Sequence, residues 1–236
     1  MIKGKKAKWI RKSHRYLGIF LGLQFLMWTI SGLYFSWSNI DDIHGMQFHK
    51  KGIVAESFSG LISPSLLHPS IAIQSIELRK INNQPFYWVN EKMLYNAKTG
   101  KLKNGISKKE ALSIADKYII SGLKVKEIQL IKEVGKHHEY REHLLPAYVI
   151  SYQEPDNLKA YISVNDGGFQ TIRHRNWRWF DFLWMTHTMD YEGRDNMNNF
   201  VLRLFSLLGL ITVLSGFLLW YISSPTVRII WRKIKK

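Results

Sequence analysis

Residues 16–37, YLGIFLGLQFLMWTISGLYFSW, and residues 204–222, LFSLLGLITVLSGFLLWYI, contain no Asp, Glu, Lys or Arg. A helix rises about 1.5 Å per residue and the hydrocarbon core of a bilayer is about 30 Å thick, so about 20 apolar residues cross it. Both runs are long enough, and they lie near the two ends of a 236-residue chain. The first is too long for the apolar region of a cleaved signal peptide, and Ser36-Trp37-Ser38 is a poor cleavage site, so it reads as a retained span.

The charge pattern orients these spans. The chain has 34 Lys and Arg against 18 Asp and Glu, a formal net charge of +16. Seven cations (Lys3, Lys5, Lys6, Lys8, Arg11, Lys12, Arg15) precede the first run, five (Arg228, Arg232, Lys233, Lys235, Lys236) follow the second, and neither tail holds an acid. Arg203 stands just before the second run, where its aliphatic stem carries the guanidinium up to the interface. Residues 38–199 contain all 18 acids and keep a net charge of only +3. The basicity therefore belongs to the tails, and no nucleic-acid partner is expected. Short Lys/Arg-rich flanks stay cytoplasmic while a long loop is translocated, which puts both termini inside and residues 38–199 outside. Trp9, Trp37, Trp220 and Trp231 bracket the spans as interfacial rings do.

Between the spans the sequence repeats itself. Ser107 with Glu110 forms a capping box opening a helix over 107–120, and strands follow over 125–134, 146–153 and 159–164. Residues 63–102 carry a weaker copy: Ser63-Pro64-Ser65 opens a short helix, with strands over 74–81, 85–90 and 93–97. Gln84-Pro85-Phe86-Tyr87-Trp88-Val89 aligns with Leu145-Pro146-Ala147-Tyr148-Val149-Ile150, and Asn96-Ala97-Lys98-Thr99-Gly100 with Val164-Asn165-Asp166-Gly167-Gly168. Period-2 alternation predicts antiparallel sheets with one face under the helix and the other polar. Trp177, Trp179, Phe180, Phe182 and Trp184 mark an amphipathic helix lying in the membrane interface. The chain has no cysteine, which excludes iron–sulfur clusters and thiolate zinc sites. No phosphate loop, paired-carboxylate motif or nucleophile elbow is legible, and neither is a flavin or nicotinamide site.

Arg11-Lys12-Ser13-His14-Arg15-Tyr16-Leu17-Gly18 running into Thr29-Ile30-Ser31-Gly32-Leu33 resembles the first helix of PepSY-associated transmembrane proteins. Trp184-Met185-Thr186-His187 followed by Leu214-Ser215-Gly216-Phe217-Leu218-Leu219-Trp220 is similar to that family's last His-bearing approach and helix, and the α-β-β-β repeats look like PepSY modules. The resemblance implies an α+β protein of the bacterial inner membrane. It divides the chain into a basic tail (1–15), a span (16–37), a periplasmic ectodomain (38–199), a second span (200–222) and a basic tail (223–236). Within the ectodomain lie two modules (60–104 and 105–172) and an interfacial helix (176–190). Larger relatives have four or more helices and include haem-binding reductases of ferric siderophores. The resemblance therefore implies b-type haem, electron transfer to ferric iron or a ferric siderophore, and a reductase or reductase subunit.

The haem ligands so implied are histidines. The topology puts His44 and His187 at the outer membrane surface, with Trp177, Trp179, Phe180 and Trp184 available as an apolar wall and Asp41, Asp42 or Asp190 to orient a ring. His14 stands alone at the inner surface and needs a homodimer or a partner membrane subunit to complete a bis-His site. Each also has an ordinary reading: His14 beside anionic lipid, His44 capping a turn at Gly45, His187 packed among tryptophans. His137, His138 and His143 read as a solvated loop. Gly18, Gly22, Ser31-Gly32 and Ser215-Gly216 permit close helix approach, within one chain or in a dimer. The alternative function is a membrane-anchored binding or regulatory module that takes a peptide or protein partner on its sheet edges.

The charge asymmetry makes the topology testable. Reporter fusions at Lys98 and at Lys236 are expected to lie in opposite compartments; a shared compartment would refute the two-span arrangement.

Overall fold

The computed structural model describes residues 5–52, 57–67, 72–153 and 156–226. Lys3, Trp231 and the five cations of the C-terminal tail lie outside the described residues. The chain divides into a helical unit, residues 5–37 with 181–226, and a sheet unit, residues 38–180.

In the helical unit, α1 (Lys5–Trp37) and α5 (Phe200–Ser223) are both long and apolar enough to cross a membrane. Helix α1 does not begin at the first apolar residue. It runs through the basic segment, because residues 5–17 contain neither Gly nor Pro and are rich in good helix formers. Asn199 opens α5, its side chain accepting from the Leu202 N–H at 2.8 Å, and Pro225 follows the Ser224 cap. The helices pack antiparallel through small residues: Gly209 meets Phe25 and Gly216 meets His14. Between them, α4 (Arg175–Thr188) covers the expected interfacial segment, and its last eight residues belong to this unit.

The sheet unit opens with a single turn, α2 (Ile40–Ile43). It holds two antiparallel meanders. The first orders β1 (Ile76–Ile81), β2 (Gln84–Val89), β3 (Met93–Asn96) and β4 (Leu102–Lys103); the second orders β5 (Val125–Ile131), β6 (Ala147–Tyr152), β7 (Lys159–Ser163) and β8 (Phe169–Arg173). Three strands in each are the expected ones in the expected order, and each sheet gains a short fourth. Asn82 and Asn83, both at positive φ, make the two-residue β1–β2 turn, a conformation Asn tolerates.

Ala97 N–H donates to Pro85 O and Val164 N–H to Pro146 O, both at 2.9 Å, so the proline-led strands do correspond. The following turns align one residue differently from the sequence alignment. Gly100 donates to Asn96 O and Gly167 to Ser163 O, each glycine at positive φ, so the left-handed position, not the last glycine, sets the register.

Helix α3 (Lys108–Tyr118) has the predicted Ser107–Glu110 capping box and packs on both sheets. Its Ala111, Ile114 and Ala115 join Phe86, Trp88 and Leu94 of the first sheet and Ile150, Ala160 and Ile162 of the second in one core. The first module's own helix is a single 3-10 turn, Pro64–Leu66. The expectation of polar outer faces is overturned. Tyr87, Val89, Tyr95 and Ala97 are covered by Leu61, Ile62 and Leu67, and Ala147, Val149 and Tyr161 by Tyr140, Val134 and Leu145. The connecting segments fold back over the sheets, so the central strands β2 and β6 are buried on both faces and carry apolar side chains on each.

An ion pair between Arg79 on β1 and Asp166 in the β7–β8 turn joins the sheets. A Cβ at Gly168 would come within 2.8 Å of Arg79 Nη1, so a larger residue there would displace the arginine. Over the second sheet, Glu139 accepts from Arg178 Nε at 2.6 Å and Tyr161 OH at 2.7 Å and pairs with Lys159 at 3.1 Å. Burial by itself would raise the Glu139 pKa; the Arg178 and Tyr161 hydrogen bonds and the charges of Arg178 and Lys159 outweigh it and hold the pKa at about 2.

A carboxylate depressed in this way adds stability above its ordinary pKa of 4.5, and that stability is lost as pH falls toward 2. Glu139→Gln is expected to lower stability at neutral pH by about 2 kcal/mol and to flatten acid unfolding between these limits. Circular dichroism of the detergent-solubilised chain across that range checks both effects.

Candidate functional site: two serine-held histidines in the helical unit

The last turn of α4 is built into the helical unit by side chains of α1 and by the α5 cap. Gln24 Nε2 donates to Thr186 O at 3.1 Å, Trp28 Nε1 to His187 O at 2.8 Å, and Asn199 Nδ2 to Thr188 O at 2.9 Å. These carbonyls end a helix and have no partner within it, so donors from elsewhere must satisfy them. The Asp181–Arg194 pair ties the connection after α4 back to that helix.

This framework aims His187 at α1. Its Nδ1 lies 2.7 Å from Ser31 Oγ, and Ser31 is fully buried. The ring stands at 5.6 Å from Phe35 and 6.4 Å from Trp28 between centroids, and Trp184 packs edge-on to Phe35 at 5.8 Å. His14 has a matching arrangement. Its Nδ1 lies 2.7 Å from Ser215 Oγ on α5, and Gly216 leaves its ring edge clear: a Cβ there would sit 3.3 Å from Cε1. Ser215 also lines, with Trp9, Ser13, Tyr16, Leu17 and Leu214, an apolar groove of about 860 Å³. From His14 to Ser31 is 17 residues of continuous helix, a rise of about 26 Å. The two rings therefore occupy opposite ends of the helical unit, and one haem cannot take both.

The other expected residues fall elsewhere. His44 is exposed in the sheet unit and closes α2, its backbone N–H donating to Ile40 O at 2.9 Å ahead of Gly45 at positive φ. That is the turn-capping arrangement its position suggested. Asp41 and Asp42 are exposed on α2. Asp190 accepts from Asn196 N–H at 2.8 Å and Gly193 N–H at 3.1 Å. Burial would raise its pKa, but these backbone donors outweigh it and lower it, so it organises its own loop. The orienting group at His187 is the Ser31 hydroxyl, not a carboxylate.

Among the expected wall residues, Trp184 belongs to the His187 surround. Trp177 instead lies in the sheet unit under the Arg173 guanidinium, 4.0 Å from its ring centroid. The 132–146 segment is not a wholly solvated loop. His143 stacks on the fully buried Tyr140 at 5.0 Å, and His138 Nδ1 accepts from the Tyr140 N–H at 3.1 Å. Burial comes first among the causes that lower the pKa of both rings.

Sequence alone gives Ser31, Ser215 and Trp28 no functional role. A signal was present, because the same Ser-Gly dipeptide occurs in both spans, but it reads equally as close helix packing. Buried His174 was missed as well; its Nε2 lies 3.2 Å from Ile43 O and its ring stands edge-on to Phe48 at 5.2 Å.

The chain belongs to the family described as the PepSY-associated TM region, whose model matches residues 2–222. No curated protein and no solved structure matches it.

Trp28→Phe keeps the ring but removes the donor to His187 O. The unpaired carbonyl is expected to cost about 1–3 kcal/mol, read as a lower melting temperature of the solubilised protein, whereas Trp37→Phe at an exposed position leaves it unchanged.

Proposed function

We propose that this protein is a two-span component of the bacterial inner membrane, with both termini cytoplasmic and the sheet unit periplasmic. It carries electrons through b-type haem toward ferric iron or a ferric siderophore. The observation that carries this reading is the pair of imidazoles at opposite ends of the helical unit, each held at Nδ1 while its Nε2 has no hydrogen-bond partner among the described residues.

The residues fit such a group. Haem ligation needs a neutral imidazole held through its second nitrogen, within a mostly apolar site. His187 with Ser31, Trp28, Phe35 and Trp184 meets that need at one end; His14 with Ser215 and Gly216 meets it at the other, where Ser215 also lines the apolar groove. When bound, haem b supplies a one-electron redox centre. The chain's own part is to position the ligand nitrogens and exclude water with Trp and Phe rings. It also separates the two positions by about the thickness of the hydrocarbon core. His44, exposed after α2, is the further ligand candidate within the same chain.

The runner-up is a binding or regulatory module. It is favoured by β5, a seven-residue edge strand with mostly exposed side chains, which leaves backbone groups open to an added strand.

Reduced-minus-oxidised absorbance of the purified full chain, produced with ample haem, tests the leading reading. A b-type spectrum is expected, low-spin where a second axial ligand completes the site, with most of the haem at each histidine's own end lost in His187→Ala or His14→Ala while membrane insertion persists. His44→Ala shows whether a second ligand comes from this chain. A wild-type protein without haem would overturn the proposal and favour the edge-strand module.

A further inference from the structure

We infer that Ser31 and Ser215 are positioning residues that fix His187 and His14 as the Nδ1–H tautomer, leaving the Nε2 lone pair of each ring as its ligand-binding atom. The identity of the ligand rests on the haem reading above; the tautomer does not.

The inference follows from counting protons. A serine hydroxyl has one hydrogen, and a backbone carbonyl can only accept. Ser31 Oγ lies 2.7 Å from Met27 O and 3.1 Å from Trp28 O, in its own helix, as well as 2.7 Å from His187 Nδ1. If the hydroxyl hydrogen pointed at the imidazole, two oxygen acceptors would face each other at 2.7 Å at a fully buried position with no hydrogen between them. That arrangement forfeits a hydrogen bond and adds repulsion where no water can relieve it. Donation to the carbonyl three or four residues back is the ordinary habit of a helical serine. Ser31 must then accept from His187, and Nδ1 carries the hydrogen.

At the other end the same count holds. Ser215 Oγ lies 2.7 Å from Thr212 O and 2.7 Å from His14 Nδ1, so its hydrogen goes to the carbonyl and the imidazole donates. A neutral imidazole protonated at Nδ1 has its lone pair at Nε2. Gly216 leaves the ring room, because a Cβ there would sit 3.3 Å from His14 Cε1. Each span thus lends one serine to a histidine of another helix: α1 to α4, and α5 to α1. The second nitrogen's partner sets both ring orientation and ligand basicity in metal-bound histidine, so the two serines also tune whatever is held.

The test is nitrogen-15 NMR of histidine-labelled full-length protein in haem-free micelles, at a pH where the rings are neutral, with resonances assigned by loss in His14→Gln and His187→Gln. Both rings are expected to show the Nδ1–H pattern, although a free histidine side chain in water favours Nε2–H. Ser31→Ala should return His187 to the solution form while His14 keeps its pattern, which also shows that the variant is folded; Ser215→Ala should do the reverse. Ser31→Thr and Ser215→Thr retain the hydroxyl and should preserve the wild-type patterns. An Nε2–H pattern for either ring in the wild type, or no response to the alanine variants, overturns the inference. Nδ1–H patterns in a protein that binds no haem would uphold it and sink the haem reading instead.

Discussion

Inside a bilayer every polar group must find its partner within the protein, since no water is there to take its place. Much of the helical unit follows from that constraint. The carbonyls at the end of α4 take Gln24, Trp28 and Asn199 as donors, the hydroxyls of Ser31, Thr212 and Ser215 bond back to their own helices, and each imidazole meets a serine. A spanning segment can carry Gln, Ser, Thr and His only if each is answered. These few polar residues therefore set how α4 seats on α1 and which ring faces which hydroxyl.

The sheet unit obeys a different constraint. Two four-stranded meanders are too small to bury two faces each by themselves. They share α3 on their inner side and draw the segments at 61–67 and 132–146 over the outer sides. The polar groups buried in this way are paired in turn: Arg79 with Asp166, and Glu139 with Arg178, Tyr161 and Lys159. The sequence repeat thus marks a duplicated meander whose two copies differ in how they are covered. The first has a 3-10 turn where the second has a full helix.

The functional reading grows from the helical unit because two half-buried imidazoles there are held at Nδ1 and have no hydrogen-bond partner at Nε2 among the described residues. His14 and His187 share one geometry at opposite ends of a single helix length. His44 is constrained only through its backbone, His143 stacks on Tyr140, and His174, held at Nε2, has no partner at Nδ1 but is fully buried in the sheet unit. The distinction is physical: a ligand nitrogen needs an unused lone pair that a ligand can reach, and His14 and His187 are half-buried where His174 is fully buried.

The sequence by itself determined the two long apolar helices, the order of three strands in each meander and the α3 capping box. Each of these rests on local signals: charge-free length, period-2 alternation, and a Ser with a Glu three residues on. It also singled out His14 and His187 as candidates, through the residues flanking them. Only the tertiary structure decided what those histidines touch. The Ser31–His187 and Ser215–His14 contacts join residues 156 and 201 positions apart, and no local pattern encodes which hydroxyl a ring will meet when helices pack. The covered outer faces were hidden for the same reason, because alternation reports how a strand alternates but not what a distant segment lays over it.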